Sequence, residues 1–138
     1  YYAKLHRDGV ISLSTTPLNH PILPLLIDMD VALKANATTN IPKKHVSLKE
    51  DAQEQILKAK EIFYDTFGFM PDGFWPAEGA VSEDTLAMFS SSGIKWCATD
   101  EEILLKSLHT KDRSNIYTPY EFNGVNIVFR DHYLSDLI

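Results

Sequence analysis

The sequence predicts an α/β protein with a largely parallel sheet. Short apolar runs alternate with amphipathic helical segments along the chain, which is the pattern of repeated strand and helix units. Four of these runs finish on polar residues. Because the carboxyl ends of parallel strands meet at one edge, we expect those polar residues to surround a common site.

Residues 10–14 form a β-rich run, which predicts a first strand ending in the polar loop 15–17. His20 lies just beyond that loop. A lone histidine there is either structural, merely exposed, or a substrate contact. A short helix is predicted from near Pro24, and the polar residues 36–46 predict an exposed loop.

A long amphipathic helix is predicted next. The capping-box pattern of Ser47 and Glu50 marks its start, and Gly68 marks its end after Phe67. Its apolar face has helical spacing, which indicates packing against the core rather than a ligand groove. That face consists of Ile56, Ala59, Ile62, Phe63 and Phe67.

Residues 73–82, GFWPAEGAVS, form the central stretch, in which an apolar strand over residues 74–78 ends on Glu78. Pro76 removes a backbone donor, and Gly79 permits a sharp turn. An isolated loop glutamate is most often a solvated carboxylate. Here Trp75 offers a flat apolar face of the kind on which sugars stack, and the flanking proline and glycine restrict the backbone. Glu78 is therefore a candidate catalytic group.

Ser82 is predicted to cap the next helix, which ends at Gly93. The following strand, residues 94–98, is largely apolar, as in a sheet covered on both faces. Asp100 and Glu101 come directly after it. These carboxylates either stabilise the first turn of another helix or bind substrate hydroxyls.

The last part of the chain predicts a hairpin. Residues 116–122 and 125–129 flank an Asn-Gly pair, which is the strongest short hairpin signal. The second strand ends on Arg130 and Asp131. Such a pair is most often solvated or internally ion-paired, but its place at a fourth strand end also makes it a candidate part of the common site.

The charge composition restricts the kinds of molecule that the protein can bind. The 138 residues include 13 basic and 19 acidic side chains, with a formal net charge of −6. This balance argues against nucleic acid or an anionic membrane and is compatible with a neutral substrate. Nothing resembles a signal peptide and no apolar run reaches the ~18 residues of a membrane span, so we expect a cytoplasmic protein. The single cysteine, Cys97, has no partner in this chain for a disulfide or a cysteine-based metal site.

Four segments share their order with one enzyme family. They are residues 13–26 (LSTTPLNHPILPLL), 73–83 (GFWPAEGAVSE), 93–101 (GIKWCATDE) and 129–138 (FRDHYLSDLI). Together they resemble glycoside hydrolase family 57, in particular its nucleophile region and its amylase-like branch. That family contains α-amylases, 4-α-glucanotransferases, branching enzymes and amylopullulanases. The resemblance therefore implies part of a (β/α)7 barrel, a TIM-like architecture.

The resemblance also implies a mechanism. Glu78 would be the nucleophile of a retaining glycoside hydrolase or transglycosidase that acts on α-glucans. The acid/base would be an aspartate in a later Asp-Gly-Glu-like segment, beyond Ile138. No cofactor or metal is implied. The residues predicted to contact the substrate are His20, Trp75, Asp100, Glu101, Arg130 and Asp131.

The chain is short for this family and differs from its sequence pattern at two places. A catalytic barrel typically needs ~200 residues or more, so we expect residues 1–138 to be a single partial barrel domain of a longer protein. The early His-Gln-Pro segment of the family is absent, and Ser12 stands where many relatives carry a glutamate.

Two other functions compete with this one. A polysaccharide deacetylase uses a similar barrel and would retain zinc or cobalt. A catalytically silent barrel would bind carbohydrate without turnover. The five histidines form no His-x-x-x-His pair, and His6 and Asp8 have no third metal ligand nearby in the sequence.

Overall fold

The computed structural model describes residues 1–137, so Ile138, at the end of the fourth family-like segment, lies outside the described residues. Its strands form a five-stranded sheet in the order β1-β2-β3-β5-β4. They are β1 (Ser14–Thr15), β2 (Gly73–Phe74), β3 (Trp96–Asp100), β4 (Tyr120–Phe122) and β5 (Val125–Arg130). The helices are α1 (Tyr2–Arg7), α2 (Leu23–Ile27), α3 (Val31–Ala35), α4 (Lys49–Phe67), α5 (Glu83–Ser91), α6 (Glu101–Ser107) and α7 (His132–Asp136). Short 3-10 helices occupy Ala77–Gly79 and Arg113–Tyr117.

The sheet is mostly parallel. β1 pairs with β2, β2 with β3, and β3 with β5, all in parallel, whereas β4 runs antiparallel to β5. The antiparallel pair is the hairpin predicted from Asn123 and Gly124. The predicted α/β class is confirmed, and the carboxyl ends of β1, β2, β3 and β5 lie at one edge of the sheet.

The core forms where α2, α4 and α5 pack on one another and on the sheet. Phe74 of β2 meets Phe89 of α5 edge to face, with 5.3 Å between the ring centroids. Cys97 of β3 is fully buried, and burial raises the pKa of its thiol to about 12, so it is a neutral packing residue. Ile62, predicted for the core face of α4, is instead half exposed. The residues that α4 buries are Ala52, Ile56, Ala59 and Phe63.

The start of α4 differs from the capping-box prediction. The helix begins at Lys49, its N-cap residue is Leu48, and no side chain forms a cap hydrogen bond. Ser47 instead donates its hydroxyl hydrogen to the carbonyl of Ile27, at the end of α2, over 2.9 Å. A long-range contact thus uses the side chain that the local pattern assigns to the cap. The helix ends at Phe67, as predicted.

Several predicted strands change in extent because pairing, and not apolar composition, sets their ends. The strand predicted over residues 10–14 is reduced to Ser14–Thr15, since its partner β2 is only two residues long. The strand predicted over residues 116–122 begins at Tyr120, because Ile116 lies in a 3-10 helix. The strand predicted over residues 94–98 is displaced to Trp96–Asp100 by its register with β5.

Gly73 and Trp96 face each other across β2 and β3. The indole of Trp96 lies so close to Gly73 that a Cβ built there would come within 1.9 Å of the ring. Carbon atoms in contact are separated by about 3.5–4.0 Å, so position 73 has no room for a side chain. This close approach fixes β2 directly before the loop that carries Glu78.

The variant Gly73→Ala is expected to lower the free energy of unfolding by about 1–3 kcal/mol, because the added methyl group displaces the packed indole. Chemical denaturation measures the loss. In a Trp96→Ala background the same change should cost much less, since the clashing ring is gone. An equal cost in both backgrounds would contradict the packing argument.

Candidate active site

The loop after β2 holds Glu78 in an uncommon backbone conformation. The prediction of a strand over residues 74–78 is wrong, because the pairing of β2 ends at Phe74. Ala77–Gly79 form a 3-10 helix instead. Glu78 has φ 55° and ψ 17°, in the left-handed region. This region costs a residue with a Cβ about 1–2 kcal/mol. Such residues persist where their surroundings hold them, and they are concentrated at functional sites.

Gly79 continues the left-handed turn with φ 65°, without the steric cost that a side chain would add. Its N–H donates to the carbonyl of Pro76 over 2.9 Å. Its carbonyl accepts a hydrogen bond from the hydroxyl of Thr99, a buried residue of β3. The turn that carries Glu78 is therefore bonded both to itself and to the neighbouring strand.

His20 reaches Glu78 from the loop after β1. Nε2 of His20 lies 3.0 Å from Oε1 of Glu78, and it donates to the carboxylate when it carries the proton. His20 is itself left-handed, with φ 55°. The two side chains remain open to solvent, at 62% and 73% exposed. The adjacency of β1 and β2 in the sheet brings these distant residues together.

Trp75 lies at the same strand end. The backbone N–H of Trp75 donates to the carbonyl of Thr15 over 2.8 Å, and this bond connects the start of the Glu78 loop to β1. The side chain is 39% exposed, so part of the indole is available to a ligand. This exposure is compatible with the predicted stacking of a sugar on Trp75.

Asp100 ends β3 and caps α6. Oδ1 accepts from the N–H of Glu102 over 3.0 Å, and Oδ2 lies 2.6 Å from Nε2 of His132. Nε of Arg130 is 3.7 Å from the same Oδ2. Burial alone would raise the pKa of Asp100, but the hydrogen bonds from His132 and Glu102 and the charges of His132 and Arg130 outweigh it and lower the pKa. The helix-start interpretation of Asp100 is confirmed, while its contact with substrate stays a prediction.

Glu101 and Asp131 share one cation, Arg113. Nη2 of Arg113 lies 2.7 Å from Oε2 of Glu101 and 2.7 Å from Oδ1 of Asp131, and its Nε donates to Oε1 of Glu101 over 3.2 Å. Both carboxylates are less than a tenth exposed. Hydrogen bonds to Glu101 and then to Asp131 raise the pKa of the guanidinium further above its usual value. The two buried carboxylates are therefore both bonded to a partly exposed cation, Arg113.

Asp131 has further donors. Oδ2 accepts from the hydroxyl of Tyr117 over 2.6 Å, and Oδ1 accepts from the N–H of Tyr133 over 2.8 Å at the start of α7. The Tyr117 hydrogen bond, together with that from Arg113, lowers the pKa of Asp131 to about 2 despite burial. Asp131 is thus an ionised structural partner near neutral pH, and sugar binding by Asp131 and Glu101 stays a prediction.

Arg130 joins the end of β5 to α7. Its Nη2 donates to Oδ2 of Asp136 over 3.2 Å, and its Nε is buried without a hydrogen-bond acceptor in the described chain. The side chain is 38% exposed. The internal ion pairing expected for an adjacent Arg and Asp is therefore observed, but with Asp100, Arg113 and Asp136 as partners.

The groups that bind these carboxylates were not predicted from the sequence. They are Arg113, Tyr117 and His132. Thr99, which binds the carbonyl of Gly79 instead, was also not predicted. His132 lies within the fourth family-like segment, directly after Asp131, and that position was a signal that could have found it. Arg113 and Tyr117 belong to the connection between α6 and β4, where no local pattern marks them.

Histidines meet carboxylates at three places in residues 1–137: His20 with Glu78, His45 with Asp30, and His132 with Asp100 and Glu101. None of these, nor any other group of three His, Cys, Asp or Glu side chains in this range, is arranged to hold a metal ion. The same range contains no helix of the length and apolarity needed to cross a membrane.

The sequence profile of Glycosyl hydrolase family 57 matches residues 1–138, which is the whole chain. The chain therefore belongs to glycosyl hydrolase family 57. A comparison with curated protein sequences found no match.

Three solved structures show the same fold. The α-amylase AmyC from Thermotoga maritima matches 98% of this chain with a TM-score of 0.73 and 18% identity. The GH57-type branching enzyme from Pyrococcus horikoshii matches 99% with a TM-score of 0.68 and 16% identity. The 4-α-glucanotransferase from Thermococcus litoralis matches 99% with a TM-score of 0.67 and 19% identity. The chain spans 22%, 24% and 18% of their respective lengths. The predicted fold, part of a (β/α)7 barrel, is confirmed.

The contact between His132 and Asp100 predicts a pH-dependent stability. The hydrogen bond to Asp100 raises the pKa of His132 above its usual 6.5, so folding favours the protonated ring. This contribution is fully present below pH 6.5 and is lost as the pH rises through the raised folded-state pKa. The stability difference between wild type and His132→Gln should therefore shrink from mildly acidic to mildly alkaline pH. Thermal unfolding measures it.

The exposed His109 provides a control, because the histidine that bonds Asp100 is His132 and His109→Gln leaves that contact intact. A stability difference for His132→Gln that stays constant over this pH range would contradict the assigned ion pair.

Proposed function

We propose that this chain forms part of a retaining glycoside hydrolase or transglycosidase acting on α-glucans, with Glu78 as its nucleophile. The observation that carries the proposal is the contact between Glu78 and His20, an exposed carboxylate 3.0 Å from an imidazole nitrogen, with both residues left-handed. Family membership supports glycosidic chemistry. The matched structures are named as an α-amylase, a branching enzyme and a 4-α-glucanotransferase, which supports an α-glucan substrate.

The proposed reaction has two displacement steps. The Glu78 carboxylate attacks the anomeric carbon while an acid protonates the departing glycosidic oxygen, and a covalent glycosyl ester forms. The deprotonated acid then takes a proton from water or a sugar hydroxyl, whose oxygen attacks the same carbon and releases Glu78 as a carboxylate. Hydrolysis and glucan transfer differ only in the acceptor of the second step. The solvent exposure of Glu78 suits a group that must meet both sugar and acceptor.

The acid/base is proposed to be an aspartate outside residues 1–138, in the Asp-Gly-Glu-like segment of the family. The strand-end carboxylates of this chain are poor candidates. Asp131 has a pKa of about 2 and the pKa of Asp100 is also lowered, so neither holds a proton near neutral pH. Glu101 is buried and bound through both oxygens to Arg113.

His20 is proposed to hydrogen-bond the Glu78 carboxylate from the loop after β1, and Trp75 is proposed to stack on the sugar. The His20 hydrogen bond is to Oε1, which leaves the second carboxylate oxygen of Glu78 for the anomeric carbon. The exposed part of the Trp75 indole offers a face for a pyranose ring.

Replacement of Glu78 by glutamine in the full-length enzyme tests the nucleophile. Glutamine keeps the shape of the side chain but cannot form the glycosyl ester, so kcat on a maltooligosaccharide should fall by a factor on the order of 10⁴ or more, about 5 kcal/mol of transition-state stabilisation. Glucan binding should persist. Azide should partly rescue Glu78→Ala by occupying the vacated space and forming a glycosyl azide of inverted anomeric configuration.

Glu83→Gln is the matched control, since Glu83 is an exposed glutamate on α5, five positions along the chain. Its kcat should match wild type. Near-normal turnover by a folded Glu78→Gln variant would remove the nucleophile assignment. Glucan binding without turnover by the wild-type enzyme would support the alternative of a silent carbohydrate-binding barrel, with which Ser12 in place of the family glutamate is compatible.

Residues 1–138 in isolation are expected to show no turnover of starch or maltooligosaccharides. The chain supplies the proposed nucleophile, but the strand-end carboxylates within residues 1–137 are poorly suited to be its acid. In the described sheet, β1 also has a neighbour on one side only. Reducing-end release by the purified chain, compared with the full-length enzyme, measures this. Robust turnover by the isolated chain would show that both reacting carboxylates lie within it.

A further inference from the structure

We propose that Thr99 is a positioning residue that holds the Glu78 backbone in its left-handed conformation and so aims the nucleophile. The inference rests on the proposed function of Glu78. It concerns a residue of β3 that the mechanism above does not use.

Thr99 is fully buried, with 0% of its surface exposed, and its hydroxyl donates to the carbonyl of Gly79. A valine has nearly the same shape and suits a buried strand at least as well. A hydroxyl at this position therefore has a purpose beyond filling space, because a buried polar group is stable only when it is hydrogen-bonded. Its acceptor is the residue directly after Glu78.

The hydrogen bond from Thr99 to Gly79 is made at the part of the loop with the least favourable backbone conformation. Glu78 and Gly79 are consecutive left-handed residues, with φ 55° and 65°. A glutamate has no intrinsic preference for this region, so the loop would relax to an ordinary conformation if its anchor were lost. That relaxation would rotate the Cα–Cβ bond of Glu78 and move its carboxylate.

The end of β3 also packs directly against the turn. A Cβ built on Gly79 would lie 3.6 Å from the backbone nitrogen of Asp100, which is ordinary van der Waals contact. His20 contacts the carboxylate from the opposite neighbour, β1. Glu78 is thus held at its backbone by β3 and at its side chain by the loop after β1.

Orientation of the nucleophile matters for rate more than for binding. The attacking oxygen must approach the anomeric carbon in line with the departing bond, and a displacement of about 1 Å can lower the rate by ~10²-fold. The substrate is bound largely through other contacts. Loss of the Thr99 hydroxyl should therefore lower kcat and leave KM nearly unchanged.

The test compares Thr99→Val, Thr99→Ser and Thr85→Val in the full-length enzyme. We expect Thr99→Val to lower kcat by ~10–100-fold at nearly constant KM. Thr99→Ser retains the hydroxyl and should restore most of the activity. Thr85 is the matched control because it is also a buried threonine, 0% exposed. Its hydroxyl oxygen lies 3.0 Å from the hydroxyl oxygen of Ser82, so this hydrogen bond stays within the α5 cap. Thr85→Val should reduce stability but not kcat.

Covalent labelling provides a second readout. With 5-fluoro-α-D-glucosyl fluoride, an oxygen of Glu78 forms a bond to the anomeric carbon, the carbon–fluorine bond breaks, and fluoride leaves. Mass spectrometry of the peptide containing Glu78 measures the rate of ester formation. This rate should fall in Thr99→Val by the same factor as kcat and stay at the wild-type value in Thr85→Val.

The outcomes separate the two claims. If Glu78→Gln is inactive while Thr99→Val keeps the kcat and labelling rate of Thr85→Val, the positioning role is wrong and the nucleophile stands. If the label attaches to another residue, the proposed function itself fails. Should Thr99→Val not fold, Thr99→Cys keeps a similar size with only a weak donor. Wild-type kcat and labelling in a folded Thr99→Cys variant would overturn the proposal, and reduced values would support it.

Discussion

The parallel register of β3 and β5 determines where the charged groups of the site lie. It places Asp100 opposite Arg130, so the next residues, Glu101 and Asp131, leave the sheet side by side. Two neighbouring carboxylates with little solvent repel each other unless a cation binds both. Arg113 supplies that cation. The connection after α6 must therefore fold back over the strand ends, which accounts for its 3-10 helix and for the late start of β4.

This arrangement divides the carboxylates of the sheet edge into two kinds. Asp100, Glu101 and Asp131 are largely buried, and each has hydrogen-bond donors that hold it in place. Glu78 is exposed and, within residues 1–137, its side chain has one partner, His20. A carboxylate that attacks a sugar has to be accessible and free of strong competing bonds, whereas a carboxylate that supports a loop does not. The central place of β2, between β1 and β3, puts Glu78 within reach of supports on both sides.

Features that depend on residues close together in the chain were predictable from the sequence. The Asn123-Gly124 hairpin, the Ser82 cap and the end of α4 before Gly68 were all predicted and are all observed. Each reflects a backbone conformation or a hydrogen bond formed within a few residues. The position of Glu78 after a strand of a parallel sheet followed from the same kind of local pattern, although the strand itself proved shorter.

The sequence by itself thus determined the α/β class and the ends of the main helices, and it predicted Glu78 as the nucleophile. Only the tertiary structure decided the partners: His20 with Glu78 across 58 positions, Thr99 with Gly79 across 20, and Ser47 with Ile27 in place of the helix cap. Local patterns record conformational preference, but a hydrogen bond between distant residues depends on strand order and register. Those arise from packing of the whole chain, so the same histidine, threonine or serine would look identical in a sequence that folds with a different strand order.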